Sequence, residues 1–326
     1  MVTAMLTGAR STLLSAETRQ FCICHSVKAL RQKRHRCLTG PIAIATVTTQ
    51  ALTGHLRGWI EEHGGYIHPD VTLSNSPSFG CRGVVTTEDI GEELVSQEPL
   101  LLVPEELSIT TSLAKERLHP LFQAAGLPDL QDLDAVLPLA LFLAHEHNKG
   151  QGSFWQPYLD LLPQQPGCAW LMPPAELADA VKAVQQLVGD EASDWDLRVL
   201  EAQQAVTIQA RALAGTYGGL LNVSTDDVLW GMGQVLSRCF GQEPDLAMLP
   251  FTDLCNHSCH AMAPNSYVGT EDGKPFVFVS SIWDDQPRPL AVGDELFISY
   301  MANTPPLTAF LNLGFVPEEL LAPPLR

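Results

Sequence analysis

The residues best suited to chemistry lie in the last quarter of the 326-residue chain. A dense polar turn, Asp253-Leu254-Cys255-Asn256-His257-Ser258-Cys259, is followed by Pro264-Asn265, by Tyr300 at the end of a strand-like run and by Gly314-Phe315. Each feature alone has a structural explanation, since Asn and Asp satisfy turn amides and strand tyrosines commonly pack in cores. Their occurrence as one ordered group is what indicates an active centre.

Two features further upstream suggest that this centre holds a cofactor. The glycines of Gly80-Cys81-Arg82-Gly83 allow main-chain amides to approach a ligand closely, although an ordinary hairpin turn would use the same residues. Arg238 closes a predicted helix, where it either stabilises the helix dipole or pairs with a cofactor carboxylate in a bidentate contact. No GxGxxG motif follows a strand, so a Rossmann-type site has no support.

Metal binding has little support in the sequence. His145-Glu146-His147 combines ligand-type residues, but residues two apart on a helix do not share a face. The eight cysteines form no paired CxxC framework, and Cys22 and Cys24 fall in the first 55 residues. We therefore predict no metal site and expect reduced thiols.

The hydrophobic periodicity predicts a β-rich start, a helical middle and a β-rich end. We expect a short helix at 55–63, with Leu56, Trp59 and Ile60 on one face, before the first strands. The predicted strands lie at 71–73, 83–87, 93–95, 100–103, 265–268, 276–281 and 295–300. The predicted helices lie at 133–148, 175–189, 196–217 and 225–240, the last one capped near Ser224. This order predicts one α+β domain whose sheets are built from both ends of the chain.

Charge divides the chain into two parts. Residues 1–55 carry seven Lys or Arg and one acid, which leaves 12 basic and 36 acidic residues in the rest, near −24. Such a body repels nucleic acid and anionic membranes and attracts basic partners. No apolar run approaches the ~20 residues that span a bilayer. The basic start has the composition of an organelle transit peptide, although Lys33-Arg34-His35-Arg36 also suits a disordered basic tail with a nuclear signal.

Taken together, these residues resemble the SET-domain protein methyltransferases, and in particular the branch typified by plant Rubisco large-subunit lysine methyltransferase. The resemblance covers roughly residues 52–318 and includes Phe154-Trp155-Gln156-Pro157-Tyr158-Leu159. It implies a knotted-looking core of short strands, interrupted by a helical insertion at about 105–245. Residues 1–51 would be the leader and 319–326 a tail, and we expect the C-terminal substrate-binding domain of this branch to be absent.

The resemblance also implies the cofactor and the roles of individual residues. S-adenosylmethionine would be lined by the backbone of Gly80, Cys81, Arg82 and Gly83, and its carboxylate would meet Arg238. Asn256 and His257 would hold the adenine end, against which Phe315 would pack. Tyr300 would be the catalytic residue at the methyl-transfer channel. Cys259 occupies the place of a zinc ligand in other SET enzymes, but no cysteine follows it, which excludes a zinc-closed site in cis.

The expected activity is methylation of an accessible lysine on a protein substrate by a monomer in the chloroplast. Rubisco large subunit and plastid aldolase are the family-based candidate substrates, and mitochondrion, cytoplasm and nucleus are the alternative locations. Leu313 stands where the family has a tyrosine, and Pro305-Pro306-Leu307-Thr308-Ala309 replaces its usual Asn-x-Glu-Leu start. A catalytically weak SET-like binding module and a protein-histidine methyltransferase are therefore the competing hypotheses.

Overall fold

The computed structural model describes residues 42–75, 82–257, 265–271, 274–283, 286–300 and 304–317. Its helices are α1 Ile42–Glu62, α2 Glu92–Gln97, α3 Thr111–Ala125, α4 Val136–Asn148, α5 Gln156–Leu159, α6 Pro174–Val188, α7 Trp195–Leu221, α8 Thr225–Arg238 and α9 Pro306–Leu313. Its strands are β1 Tyr66–Ile67, β2 Val71–Asn75, β3 Arg82–Thr86, β4 Leu101–Pro104, β5 Ile109–Thr110, β6 Phe240–Gln242, β7 Asp245–Met248, β8 Asn256–His257, β9 Tyr267–Thr270, β10 Phe276–Ser280, β11 Ile282–Trp283, β12 Gln286–Pro287 and β13 Phe297–Ile298. Among these helices, none is both long and apolar enough to cross a membrane.

The sheets join the two ends of the chain. The largest has the strand order β1-β4-β10-β9, and β10 pairs antiparallel with β4 so that Val277 faces Val103 and Val279 faces Leu101. β5 pairs with β7 across the whole helical segment. Apolar side chains alternate inward along these strands, since Val103, Leu101 and Val279 are fully buried. The predicted α+β arrangement is thus confirmed.

A short parallel strand pair carries two of the candidate site residues. β8 runs parallel to β13, with Asn256 opposite Phe297 and His257 opposite Ile298. Asn265 holds β13 in place, because its side chain donates to the Glu295 carbonyl at 2.8 Å and accepts from the Phe297 amide at 2.8 Å. A buried two-residue pair would be weak alone, and this side chain supplies hydrogen bonds that neighbouring strands would otherwise provide.

The helices of the middle segment form one packed layer around α4 and α8. α4 is apolar on nearly every side and buried, as expected for a helix at the centre of such a layer. α8 begins at a capping box in which Ser224 and Asp227 satisfy each other's backbone amides, as the sequence predicted. α8 also approaches α4 closely, since a Cβ on Gly231 would lie 2.4 Å from the Ala140 carbonyl oxygen.

Several element predictions need correction. The strand predicted at 93–95 is wrong: residues 92–97 form α2, whose first turn holds Glu92 and Glu93, acids that stabilise a helix N-terminus. α3, α5 and α9 were not predicted either. α1 begins at Ile42 rather than at 55, so the limit drawn between residues 51 and 52 lies within a helix. Its expected apolar face is confirmed, since Leu56 and Ile60 are fully buried and Trp59 is nearly so.

Candidate active site

Asn256 connects three segments of the chain at the start of β8. Its side-chain amide donates to the Arg82 carbonyl at 3.0 Å and to Glu295 Oε1 at 2.6 Å. Glu295 is only 3% exposed. A buried carboxylate needs such donors, because an unpaired one would cost several kcal/mol. The Asn256 amide therefore fixes β8 against both the β3 backbone and the strand that leads to β13.

This arrangement requires a glycine at position 83, because a side chain there would clash with its neighbours. A Cβ at this position would lie 2.0 Å from Glu295 Oε1 and 2.8 Å from Asn256 Nδ2. The requirement is close approach, and Gly83 needs no left-handed backbone. The predicted partners Gly80 and Cys81 lie outside the described residues.

His257 is buried and links β8 to Tyr300. Its Nδ1 accepts the backbone N–H of Tyr300 at 2.9 Å, which in the neutral ring places the proton on Nε2. Its ring lies 5.2 Å from the Tyr300 ring and 6.4 Å from the Phe315 ring, measured between centroids. Phe315 is 43% exposed, so one aromatic surface beside His257 is open to a ligand.

Tyr300 is half-buried, and its hydroxyl donates to the Cys255 carbonyl at 2.5 Å. The phenol proton is thus engaged, while the oxygen keeps lone pairs that can accept a hydrogen bond. Burial, followed by the charges of Asp253 and Glu295, raises the pKa of the Cys255 thiol, so this thiol is neutral. Leu313 packs against Tyr300 and supplies no second hydroxyl.

Arg238 is held at the C-terminus of α8 by two hydrogen bonds. Its Nε donates to Gln234 Oε1 at 3.1 Å and its Nη1 to the Asp253 carbonyl at 3.1 Å. Gln234 is fully buried and is fixed in turn by its bond to the Pro163 carbonyl at 2.6 Å. The guanidinium is half-buried and pre-oriented, which suits recognition of a planar carboxylate.

Asp253 lies beneath this arginine and is 4% exposed. Its Oδ2 accepts the hydroxyl of the fully buried Tyr158. Burial raises the pKa of Asp253 to about 6, although Arg238, the Tyr158 hydroxyl and Arg82 all act to lower it. Asp253 is therefore an internal acid that titrates close to neutral pH.

Comparisons with known proteins give the fold. No protein-family model matches the chain. The SET domain of LSMT bound to lysine and AdoHcy has a TM-score of 0.61 and 21% identity over 82% of this chain and 57% of that one. Rubisco LSMT bound to AdoMet has a TM-score of 0.59 and 22% identity, covering 81% of this chain and 56% of that one. This chain has the SET-domain fold.

Curated proteins with sequences similar to this chain include the following two. SET domain-containing protein 4 of Mus musculus is 26% identical over 230 residues, which is 65% of this chain and 48% of that protein. The chloroplastic fructose-bisphosphate aldolase-lysine N-methyltransferase of Arabidopsis thaliana is 25% identical over 246 residues, 72% of this chain and 46% of that protein. The chain thus spans about half the length of these relatives. The predicted SET architecture of the Rubisco methyltransferase type is confirmed.

Within the SET domain, those of the predicted site residues that the structure describes come together in one region. Gly83, Asn256, His257, Tyr300 and Phe315 are linked by the contacts above. Arg238 joins them through Asp253, and Arg82 joins them through its backbone carbonyl. Sequence reasoning assigned no role to Glu295, Asp253 or Tyr158. All three stand in segments that it singled out, but their burial, which makes them significant, is a property of the fold.

Two other parts of the SET domain have open space or ligand-type side chains. A cleft of about 640 Å³ between α3 and α4 contains none of the candidate residues. Of the histidine cluster, His145 bonds the Leu221 carbonyl, Glu146 accepts from Ser153 and Lys149, and His147 stacks on Trp230, so the three side chains diverge. The described part of the chain holds no group of three residues suited to a metal ion.

Proposed function

We propose that the chain is a protein-lysine N-methyltransferase that uses S-adenosylmethionine. The observation that carries the proposal is the meeting of Asn256, His257 and Tyr300 beside Gly83 in a SET fold. Related structures hold AdoMet, or AdoHcy together with lysine. The name of the Arabidopsis relative states lysine methylation.

The residues present fit this cofactor. The open face of Phe315 lies beside His257, and Arg238 offers an oriented cation. An aromatic face and a guanidinium match the adenine and the carboxylate of such a molecule. When bound, the cofactor would supply an electrophilic methyl group on a sulfonium.

The remaining chemistry falls to the chain's own groups. A lysine amine has a pKa of about 10.4 in water and must lose its proton before it can attack. Removing it from water beside neutral groups favours the uncharged amine. Tyr300 suits this task because its proton is committed to the Cys255 carbonyl, so its oxygen can accept an amine N–H and orient the lone pair. Positioning of this kind supplies much of the rate of such transfers.

The test is transfer from labelled S-adenosylmethionine. The full chain is incubated with the labelled cofactor and an organelle extract, and labelled residues are mapped by mass spectrometry. Labelled lysine in a defined protein supports the proposal. Labelled histidine would assign the activity to imidazole nitrogen instead, and cofactor binding with no transfer to any protein would refute enzymatic activity.

One observation favours a second candidate, a SET-like binding module of low activity. Leu313 fills the position at which the family has a tyrosine, and it packs against Tyr300. A target amine there would meet one hydroxyl in place of two. Leu313→Tyr separates the two functions, since it should raise transfer in an impaired enzyme and leave binding of a partner by a pure module unchanged.

We propose that the substrate presents its lysine in a basic region of a protein. We also propose that the chain acts in the chloroplast. The body of the chain is strongly acidic and would attract cationic segments over a distance of about 10 Å at moderate salt. The basic composition of residues 1–51 and the chloroplastic relative support import. Aldolase and the Rubisco large subunit are the first substrates to assay. Fluorescence of a fusion to residues 1–51 that stays outside plastids would contradict the location.

A further inference from the structure

The segment immediately before Asn256 is under strain and tightly enclosed. Phe251 is fully buried and has a φ of 64°, a backbone region that costs a bulky residue about 1–3 kcal/mol. The next residues, Thr252–Leu254, form a short 3-10 helix, and only Cys255 separates it from β8. Such a conformation persists only when surrounding contacts hold it. The position of β8 therefore depends on what fixes this turn.

Asp253 supplies the contact that crosses from this turn to the helical insertion. Its carboxylate accepts the hydroxyl of Tyr158 on α5, and both side chains are buried. Among the described residues its second oxygen, Oδ1, has no hydrogen-bond partner. A buried carboxylate with a single donor is destabilising relative to a neutral group of the same shape. Its contribution is therefore more readily explained by what it positions than by stability.

The carbonyl of the same residue receives the guanidinium of Arg238 at 3.1 Å. Asp253 thus couples three groups: Tyr158 on one side, Arg238 on the other and β8 three residues ahead. The charged groups that act on its carboxylate are Arg238 and, more weakly, Arg82; the neutral Cys255 thiol and Glu295 lie on the side of β8.

We propose that Asp253, anchored by Tyr158, is a positioning residue that sets the Arg238 guanidinium and the start of β8 for the cofactor. This proposal rests on the proposed function in that S-adenosylmethionine is the ligand to be positioned. Asp253 does not touch the reacting atoms. It acts through the Arg238 contact and through the turn that carries Asn256 and His257.

The test compares Asp253→Asn and Tyr158→Phe with the matched control Glu146→Gln. Glu146 is also a buried carboxylate that accepts a hydroxyl, from Ser153, but it lies in α4 away from the site. Affinity for S-adenosylmethionine is measured by calorimetry between pH 5 and 7.5, where the cofactor carboxylate, with a pKa of about 3.5, does not titrate. In parallel, the Nε–H resonance of Arg238 is followed in cofactor-free protein.

We expect both site variants to weaken cofactor binding by about tenfold at pH 7.5, the usual effect of a lost buried hydrogen bond or charge, and the control by less than about twofold. Wild-type affinity should fall more steeply than that of Asp253→Asn as pH is lowered through the range in which Asp253 becomes protonated, because groups that both proteins share, such as the His257 imidazole and the cofactor amine, affect the two profiles alike. The Arg238 Nε–H signal should be sharp in the wild type and in Glu146→Gln and exchange-broadened in both site variants.

The outcomes separate the two proposals. Unchanged or increased affinity in Asp253→Asn, with an unchanged Arg238 signal, would overturn the positioning role and leave the proposed function intact. Failure of the wild type to bind the cofactor would overturn the proposed function, and the Arg238 signal would still decide whether Asp253 fixes the guanidinium. Equal losses in Glu146→Gln would show a general effect of buried carboxylates and would also overturn the inference.

Discussion

At the scale of single residues, the phenol of Tyr300 is the group on which the proposed chemistry depends most. Its ring packs beside His257, and its backbone N–H is fixed by the same imidazole. The aromatic ring should therefore keep its position in Tyr300→Phe, where only the hydroxyl is lost. This makes Tyr300 a position at which binding and catalysis can be tested separately.

We expect Tyr300→Phe to lower methyl transfer by about 100-fold, the scale of losing one oriented polar group in an active site. Cofactor affinity should change little, because His257 and Asn256 keep their contacts. The measurement is kcat with the unmethylated protein substrate that the labelling experiment identifies, together with cofactor affinity by calorimetry. Activity equal to that of the wild type would remove Tyr300 from the site.

Gly83 is a second test at this scale. In Gly83→Ala the new Cβ meets Glu295 Oε1 and Asn256 Nδ2, so the hydrogen bond between those two groups must break or shift. We expect a loss of about 1–3 kcal/mol in the free energy of unfolding and weaker cofactor binding. Urea denaturation and calorimetry measure the two effects. Gly91→Ala is the control, since nothing lies within 4 Å of its Cβ, and equal behaviour of the two variants would contradict the close packing.

The sequence singled out the candidate site residues but not the buried residues that support them. Asn256, His257 and Tyr300 are recognisable because their order along the chain is fixed by the β8 and β13 segments. Glu295 and Asp253 were not recognised as buried acids, since a carboxylate in a polar turn looks solvent-exposed until tertiary contacts enclose it. The pairing of Asp253 with Tyr158 joins residues 95 positions apart, which no local pattern encodes.

At the scale of elements, the packing of α4 on α8 carries the helical insertion. The contact is close because Gly231 allows the helices to approach at Ala140. The sequence predicted both helices from their periodicity but not this contact. It missed α3, a helix that carries Pro120 in its interior, on its exposed side.

Two glycine substitutions in helices should have opposite effects. Gly231→Ala places a Cβ 2.4 Å from a carbonyl oxygen and should lower the unfolding free energy by about 2 kcal/mol. Gly215→Ala lies on the exposed side of α7 with nothing within 4 Å and should raise it by up to about 1 kcal/mol. Denaturant titrations of both variants provide the comparison. Stabilisation by Gly231→Ala would mean that the two helices are farther apart.

At the scale of the whole molecule, stability should depend on pH through Asp253. Its pKa is raised from 3.8 to about 6 by burial, so the protonated form is favoured in the folded state. The stabilising contribution is fully present below pH 3.8 and is lost as pH rises through 6. The wild type should therefore lose unfolding free energy over this window relative to a variant that cannot ionise there.

We expect the wild type to lose about 1–2 kcal/mol more than Asp253→Asn between pH 5 and pH 8, from a shift of this size at 1.36 kcal/mol per pKa unit. Urea denaturation across that range measures the difference, and other carboxylates cancel in the comparison. Parallel stability curves for the two proteins would show that the carboxylate is not buried as described.

The overall architecture was predictable in outline. Strand-like runs at both ends and helical periodicity between them gave the α+β class, and the ordered motifs gave the SET resemblance. What periodicity could not supply was the register by which distant strands pair, such as Val277 with Val103. Register is set by side-chain packing across the sheet and by turn geometry, neither of which is local.

The closure of the site by distant segments has a consequence for how the protein folds. The Asn256 amide meets the Arg82 carbonyl across 174 residues, and the Thr86 hydroxyl meets the Ala291 carbonyl across 205. Forming contacts between residues so far apart in sequence costs loop-closure entropy before the contacts stabilise the fold, so these contacts form late. The helices between them depend on contacts that are nearer in sequence. A nascent chain should acquire its helical insertion first, and it should become able to bind a ligand only after the strands around residue 297 have emerged and docked.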